Sequence, residues 1–127
     1  MNQLWYISMA VQKVIQARFF QTAAGNQPLR EWLLGLDSAN RRIIGGDIMA
    51  VELGWPLGPP LVAGLGDGLY EVRSNLTGKR NISRVLFTVQ GKSMVLLHGF
   101  IKKTRKTPDS DLKLARKRKR EFERAEK

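Results

Sequence analysis

Two hydrophobic periods alternate along the chain, and each switch between them marks an element. Val11–Phe20 is rich in β-branched and aromatic residues and partly alternates, which predicts a strand. Ala24-Gly25-Asn26 breaks it. Pro28 suits the first turn of a short helix over Leu29–Leu36, with Leu29, Trp32, Leu33 and Leu36 on one face. Asp37-Ser38 provides a cap for a second helix, Ala39–Leu53, with a broad apolar side of Ile43, Ile44, Ile48, Val51 and Leu53. Gly45-Gly46 weakens that helix by roughly 1 kcal/mol per glycine relative to alanine, and tight packing of a neighbour is one reason to tolerate the pair. Gly54 and Pro56 end the helix.

Past the turn-rich Gly54–Pro60 stretch the period shortens. Leu61–Leu65, Leu69–Ser74, Ile82–Val89 and Ser93–Ile101 read as four strands. Gly66-Asp67-Gly68 and Gln90-Gly91-Lys92 are tight enough for hairpins, so an antiparallel meander is expected. A terminal helix follows, with Thr107 as cap, Pro108 as first helical residue, and Asp109 and Asp111 at its positive end. Leu112, Ala115 and Phe122 give it one thin apolar stripe. The order β-α-α-β-β-β-β-α predicts a small α+β sandwich in one domain spanning 1–127, with residues 1–10 as an irregular lead-in.

Charge changes this picture. The 127 residues carry a formal charge of +11. From Lys102 onward there are 12 Lys+Arg against 5 Asp+Glu, a balance of +7, whereas the first 101 residues hold 10 against 6, only +4. Positive charge therefore collects where the chain leaves the last strand, as expected of a surface that binds a polyanion. Without cysteine there is no disulfide, thiol nucleophile or cysteine-based metal site. The apolar run Met94–Leu97 is too short to span a membrane, and the N-terminus lacks the features of a signal peptide. A cytoplasmic protein is expected.

The usual catalytic signatures are missing. His98 is the single histidine, no G-x-S-x-G accompanies it, and there is no H-E-x-x-H or carboxylate cluster, so no metal or cofactor is expected. Gly64–Gly68 lacks the Lys-Ser/Thr of a phosphate loop. What remains is arginine, lysine and hydroxyl, a set suited to a strongly anionic transition state such as that of a phosphodiester. Strand parity puts Val85, Phe87 and Val89 on a core face and Arg84 opposite. Arg73 shares a side of its strand with Glu71, so the two arginines form one cationic floor or Arg73 merely pairs with Glu71 at the surface. The loop Lys102, Lys103, Arg105 and Lys106 either grips phosphate or only solubilises the chain. A buried, hydrogen-bonded imidazole is expected at His98. The run Arg116–Arg120 wraps too far around a helix to face one groove and reads as a solvated face adding salt-sensitive affinity. Trp5, Trp32 and Trp55 read as packing residues.

Three segments together resemble the RelE/HigB toxin superfamily: Gly68–Arg73, Ser83–Phe87 and Leu96–Pro108. With Gly25-Asn26-Gln27-Pro28-Leu29 before a helix, the chain is most similar to the phage-derived Gp49-like, HigB-type branch over about residues 12–124. The resemblance implies a small, mostly antiparallel twisted sheet with two N-terminal helices and one C-terminal helix. It implies the toxin of a type II toxin–antitoxin pair, a metal-independent endoribonuclease cutting mRNA, often on the ribosome. By position, Arg73, Arg84, Lys103 and Lys106 would be catalytic, and Lys79, Arg80, Lys102 and Arg105 would bind substrate. The terminal-helix tyrosine of RelE itself has no counterpart here, since Leu112 stands nearest to it. A HigA-like helix-turn-helix antitoxin is the implied partner. Two other readings stay open: a ParE-like inhibitor of DNA gyrase, and an RNA-binding module without chemistry.

Overall fold

The computed structural model describes residues 12–78, 81–102 and 105–126. Its elements are β1 (Gln16–Phe19), α1 (Pro28–Leu34), α2 (Ser38–Gly54), β2 (Val62–Gly66), β3 (Leu69–Asn75), β4 (Ile82–Gln90), β5 (Ser93–Lys102) and α3 (Asp109–Ala125). They form one five-stranded sheet in the order β1-β5-β4-β3-β2. The expected meander is there, since β2 to β5 pair antiparallel in sequence order. The first hairpin turns through positive φ at Gly66, Asp67 and Gly68, which glycine adopts without steric cost.

β1 is shorter than the predicted strand and lies parallel to β5 at the far edge, with Gln16–Phe19 opposite Ser93–Leu96. Preceding residues Val14 and Ile15 instead donate their backbone N–H groups to the Glu52 carbonyl at the end of α2. Glu52 is itself buried, with its carboxylate accepting from Ala17 N at 2.7 Å and 3.1 Å from Lys13 Nζ. The lead-in of residues 1–10, including Trp5, lies outside the described residues.

Both faces of the sheet are covered. α1 and α2 close one face over Val62, Val72, Val85, Phe87, Met94 and Leu96, with Leu29, Ile44, Ile48 and Val51 as the helical contribution. Trp55, Tyr70 and Phe87 meet there edge-on or stacked, at centroid distances of 5.0 to 5.7 Å, and Trp32 also packs on this core. The packing roles expected of Trp32 and Trp55 are borne out. α3 closes the other face over Leu69, Leu86, Val95 and Leu97 with Ala115 and Phe122.

The helix starts follow local chemistry. Pro28 opens α1, and Asp37 caps α2 by accepting from Asn40 N at 2.8 Å. Three expectations need correction. Leu53 is exposed, because the end of α2 turns Val51 and Glu52 inward. A Cβ on Gly45 or Gly46 would meet nothing within 4 Å, so no neighbour packs tightly on that pair. Pro108, not Thr107, is the N-cap of α3, because the Thr107 side chain is engaged elsewhere. Close packing occurs instead at Gly99, where a Cβ would lie 2.6 Å from Leu29 and 2.7 Å from the Trp32 ring.

Candidate functional site

The register of β3, β4 and β5 places the site residues in rows. Cα partners share a face, so Glu71, Leu86 and His98 form one row and Arg73, Arg84 and Phe100 the next, followed by Ile82 and Lys102. One irregularity makes this possible. Leu86 pairs with His98 but Phe87 pairs with Leu96, so Leu97 is an extra residue in β5. Val95 and Leu97 lie on the α3 face, and the bulge keeps His98, Phe100 and Lys102 on that face too. Uninterrupted alternation would have turned them away.

Arg73 and Arg84 are direct cross-strand partners, so the two predicted arginines do come together. With Asp47, Pro60, Leu61, Asn75 and Ile82 they line a shallow pocket of about 330 Å³. Their surroundings are more enclosed than strand parity alone suggests. Arg84 is no solvated strand residue: its side chain is only 8% exposed, because this face is the second covered face of the sheet. The pairing of Arg73 with Glu71 is no surface contact either, since the Glu71 side chain is 2% exposed.

Glu71 is the anion at the centre of the cluster. Its Oε2 lies 2.9 Å from Arg84 Nε, its Oε1 lies 3.9 Å from Arg73 Nη2, and the Thr107 hydroxyl donates to Oε1 at 3.0 Å. The Arg84 contact is a close ion pair rather than an aligned hydrogen bond. The Nε atoms of Arg84 and Arg73 are both buried without a hydrogen-bonding partner among the described residues. Burial pushes the Arg84 guanidinium below its ordinary value, Glu71 opposes that, and Arg73 adds to it.

Lys102 is buried at the end of β5, and its ammonium donates to the Arg105 carbonyl. Burial lowers its ammonium below the ordinary lysine value, with Arg84 the next contributor. Lys102 thus belongs to the arginine cluster. Arg105 and Lys106 are exposed, and Lys106 lines a separate shallow hollow of about 270 Å³ with Thr107, Pro108 and Asp109. Lys79, Arg80 and Lys103 lie outside the described residues.

His98 is mostly buried, as expected. Its Nε2 lies 2.6 Å from Asp111 Oδ1, and Arg118 Nη1 approaches Nδ1 at 3.5 Å. The Asp111 carboxylate accepts, so Nε2 is the ring nitrogen that donates to it. The ring stacks on Phe100 at 5.6 Å. The Arg116–Arg120 run is not simply solvated. Arg116 donates to Leu65 O at 3.1 Å and Arg118 to Leu97 O at 2.8 Å, while Lys119 pairs with Glu123. Half-buried α3 runs alongside backbone carbonyls of β2 and β5, and long cationic side chains reach them.

Arg73, Arg84 and Lys102 against Glu71 and the pocket-lining Asp47 leave one positive charge in excess in a partly desolvated hollow, a setting for an anion. Donors fixed around such a hollow can stabilise negative charge that builds up on a bound phosphodiester. Sequence reasoning saw Glu71 only as a surface partner and Thr107 only as a cap. The available signal was the i, i+2 spacing of Glu71 and Arg73 on a strand whose other residues up to Arg73, Leu69, Tyr70 and Val72, pack in the core. Among the described residues no group of three or more His, Asp or Glu side chains is placed to hold a metal ion, and no helix is long and apolar enough to cross a membrane.

No curated protein matches the chain. Residues 31–120 match the family described as phage derived protein Gp49-like (DUF891). That span covers α2 to β5 whole, the last four residues of α1 and the first twelve of α3, and it contains Glu71, Arg73, Arg84, Lys102 and Thr107. A toxin family implies a cognate antitoxin. Given the sheet, its two covering layers and this match, the chain belongs to the phage-derived Gp49-like family, a family of RelE/HigB-type toxins.

Proposed function

We propose that the protein is the toxin of a type II toxin–antitoxin pair and acts as an endoribonuclease on mRNA, on the ribosome. The observation that carries this reading is the cross-strand pair Arg73–Arg84, with Lys102 beside it, holding excess positive charge and buried N–H donors at a shallow pocket. In this reading the ribose 2′-oxygen attacks the adjacent phosphorus. The bond from phosphorus to the 5′-oxygen breaks, leaving a 2′,3′-cyclic phosphate and a free 5′-hydroxyl. Arg73 and Arg84 bind the non-bridging oxygens and stabilise the charge gained in the transition state. Lys103 and Lys106 of the loop after β5 move the two protons, from the 2′-hydroxyl and to the 5′-oxygen. Lys79, Arg80 and Arg105 hold the flanking phosphates, while Lys102, expected among them, is buried and adds its charge from beneath the arginine pair. Protein cations supply the charge, so the reaction as drawn uses no metal. Its substrate places the toxin in the cytoplasm, and a HigA-like helix-turn-helix protein encoded beside it is the proposed antitoxin.

Induced expression without the antitoxin tests this directly. Primer extension on cellular mRNA should reveal new 5′ ends within coding regions as growth stops. Intact transcripts with accumulated double-strand DNA breaks would replace this reading with gyrase poisoning. Intact transcripts and intact DNA would leave an RNA-binding module.

A further inference from the structure

Glu71 is an expensive residue to keep. Two charges removed from water recover their desolvation cost only in good geometry, and apolar replacements of similar volume are often as stable or more so. Stability is therefore a weak reason for a carboxylate at 2% exposure. Geometry offers a better one. The Thr107 hydroxyl reaches both carboxylate oxygens, at 3.0 and 3.4 Å, which restrains the plane of the group. Oε2 then faces Arg84 and Oε1 faces Arg73. Thr107 is also the residue that follows the basic loop of 103–106. One carboxylate thus touches both arginines and the far anchor of the loop.

We infer that Glu71, oriented by Thr107, is a positioning residue that sets the two arginines in register with one another and with Thr107. The inference rests on the endoribonuclease reading for its consequence, though not for its geometry. It has a signature that neither a structural residue nor a simple counter-charge shares. A negative charge at this position opposes phosphate binding, so removing it should tighten binding. Losing the fixed arginine geometry should slow the chemistry, because a misplacement of about 1 Å can cost on the order of 10²-fold. Binding and rate should therefore move in opposite directions.

The test uses the full chain with Glu71→Gln, Thr107→Val and Thr107→Ser. Three quantities are measured: affinity for an all-deoxy oligonucleotide that cannot be cut, single-turnover cleavage at saturating RNA, and solvent exchange of the Arg84 side-chain Nε–H by nitrogen-15 NMR. Glu71→Gln should bind the oligonucleotide severalfold more tightly, cleave at least about tenfold more slowly at saturation, and exchange the Arg84 proton faster. Thr107→Val should give a smaller loss of rate, and Thr107→Ser should restore it. Wild-type rate in saturated Glu71→Gln would overturn the inference. So would rate and affinity falling together with a lower melting temperature, which would make Glu71 structural. Should the wild-type chain cut no RNA, the endoribonuclease reading fails on its own. The Arg84 exchange rate and oligonucleotide affinity in Glu71→Gln then still decide whether Glu71 positions the arginines.

Discussion

The two faces of the sheet are built from the same strands by different means. Under α1 and α2 the face is apolar from Val62 across Val72, Val85 and Phe87 to Leu96, with the buried cross-strand pair Ser74–Ser83 at one end. Under α3 it is divided. Leu69, Leu86, Val95 and Leu97 pack on the helix, and one row further along Arg73 and Arg84 take over, centred on Glu71 and joined by Lys102. The apolar face spreads its stabilisation over many contacts, and loss of any one costs only that residue's share. The charged half concentrates its stabilisation in a few, because each cation's burial depends on its partner. Under the proposed function such a region is what presents desolvated cations to a substrate, and it is confined to one end of one face.

The comparison is broken most severely by Arg84→Ala. It leaves Glu71 buried without its closest cation, and severing one side of a buried pair costs about 3–5 kcal/mol. Under the proposed reading it also removes a transition-state donor, and cleavage should fall roughly 10²-fold or more. Thermal melting and single-turnover kinetics check the two effects separately. A variant that melts normally would show that the charged half is not cooperative. Next in size is Gly99→Ala, on the apolar face. Its Cβ would press on Leu29 and Trp32, and overpacking of this kind costs about 1–3 kcal/mol. Chemical denaturation should show that loss, while saturated cleavage stays near wild type, because the disturbance faces away from Glu71 and Arg84.

The loop sharpens the contrast between grip and chemistry. Lys106→Ala should reduce the single-turnover rate even at saturating RNA, whereas Arg105→Ala should mainly raise the RNA concentration required, and less so in low salt. Titrations at two ionic strengths separate them, and full recovery of both variants at saturation would reduce the loop to an electrostatic clamp. The smallest effect is a gain. Gly45 and Gly46 are exposed helical residues with open space where a Cβ would go. Alanine at each should stabilise α2 by up to about 1 kcal/mol without changing cleavage. Denaturation midpoints measure it, and an unchanged or lower midpoint would show that something contacts the pair.

Most elements were legible because their signals are local. Period, proline and glycine punctuation and the Asp37 cap each act within a few residues, and all eight elements fall near their predicted positions. The site was legible in part. Arg73 and Arg84 could be placed on adjacent strands, since consecutive strands of a meander are neighbours, but the six-residue connection 76–81 left their register open. Their burial could not, because parity says which side a residue faces and not what covers that side. The amphipathic stripe of α3, Ala115 and Phe122, announced a docking helix without naming the face it would choose.

The sequence by itself determined the order and kind of the elements, the antiparallel meander and the collection of positive charge after the last strand. Only the tertiary structure decided the rest. The parallel seat of β1 beside β5 pairs residues far apart in the chain, and no local pattern specifies it. The bulge at Leu97 adds one residue that keeps His98, Phe100 and Lys102 facing α3, where two-residue periodicity would have separated them from Leu97. Glu71 became the centre of the site because Arg84 comes from the neighbouring strand and Thr107 from beyond the basic loop. A buried charge is tolerable only where its partners converge, and that convergence is a property of packed strands and loops rather than of neighbouring residues.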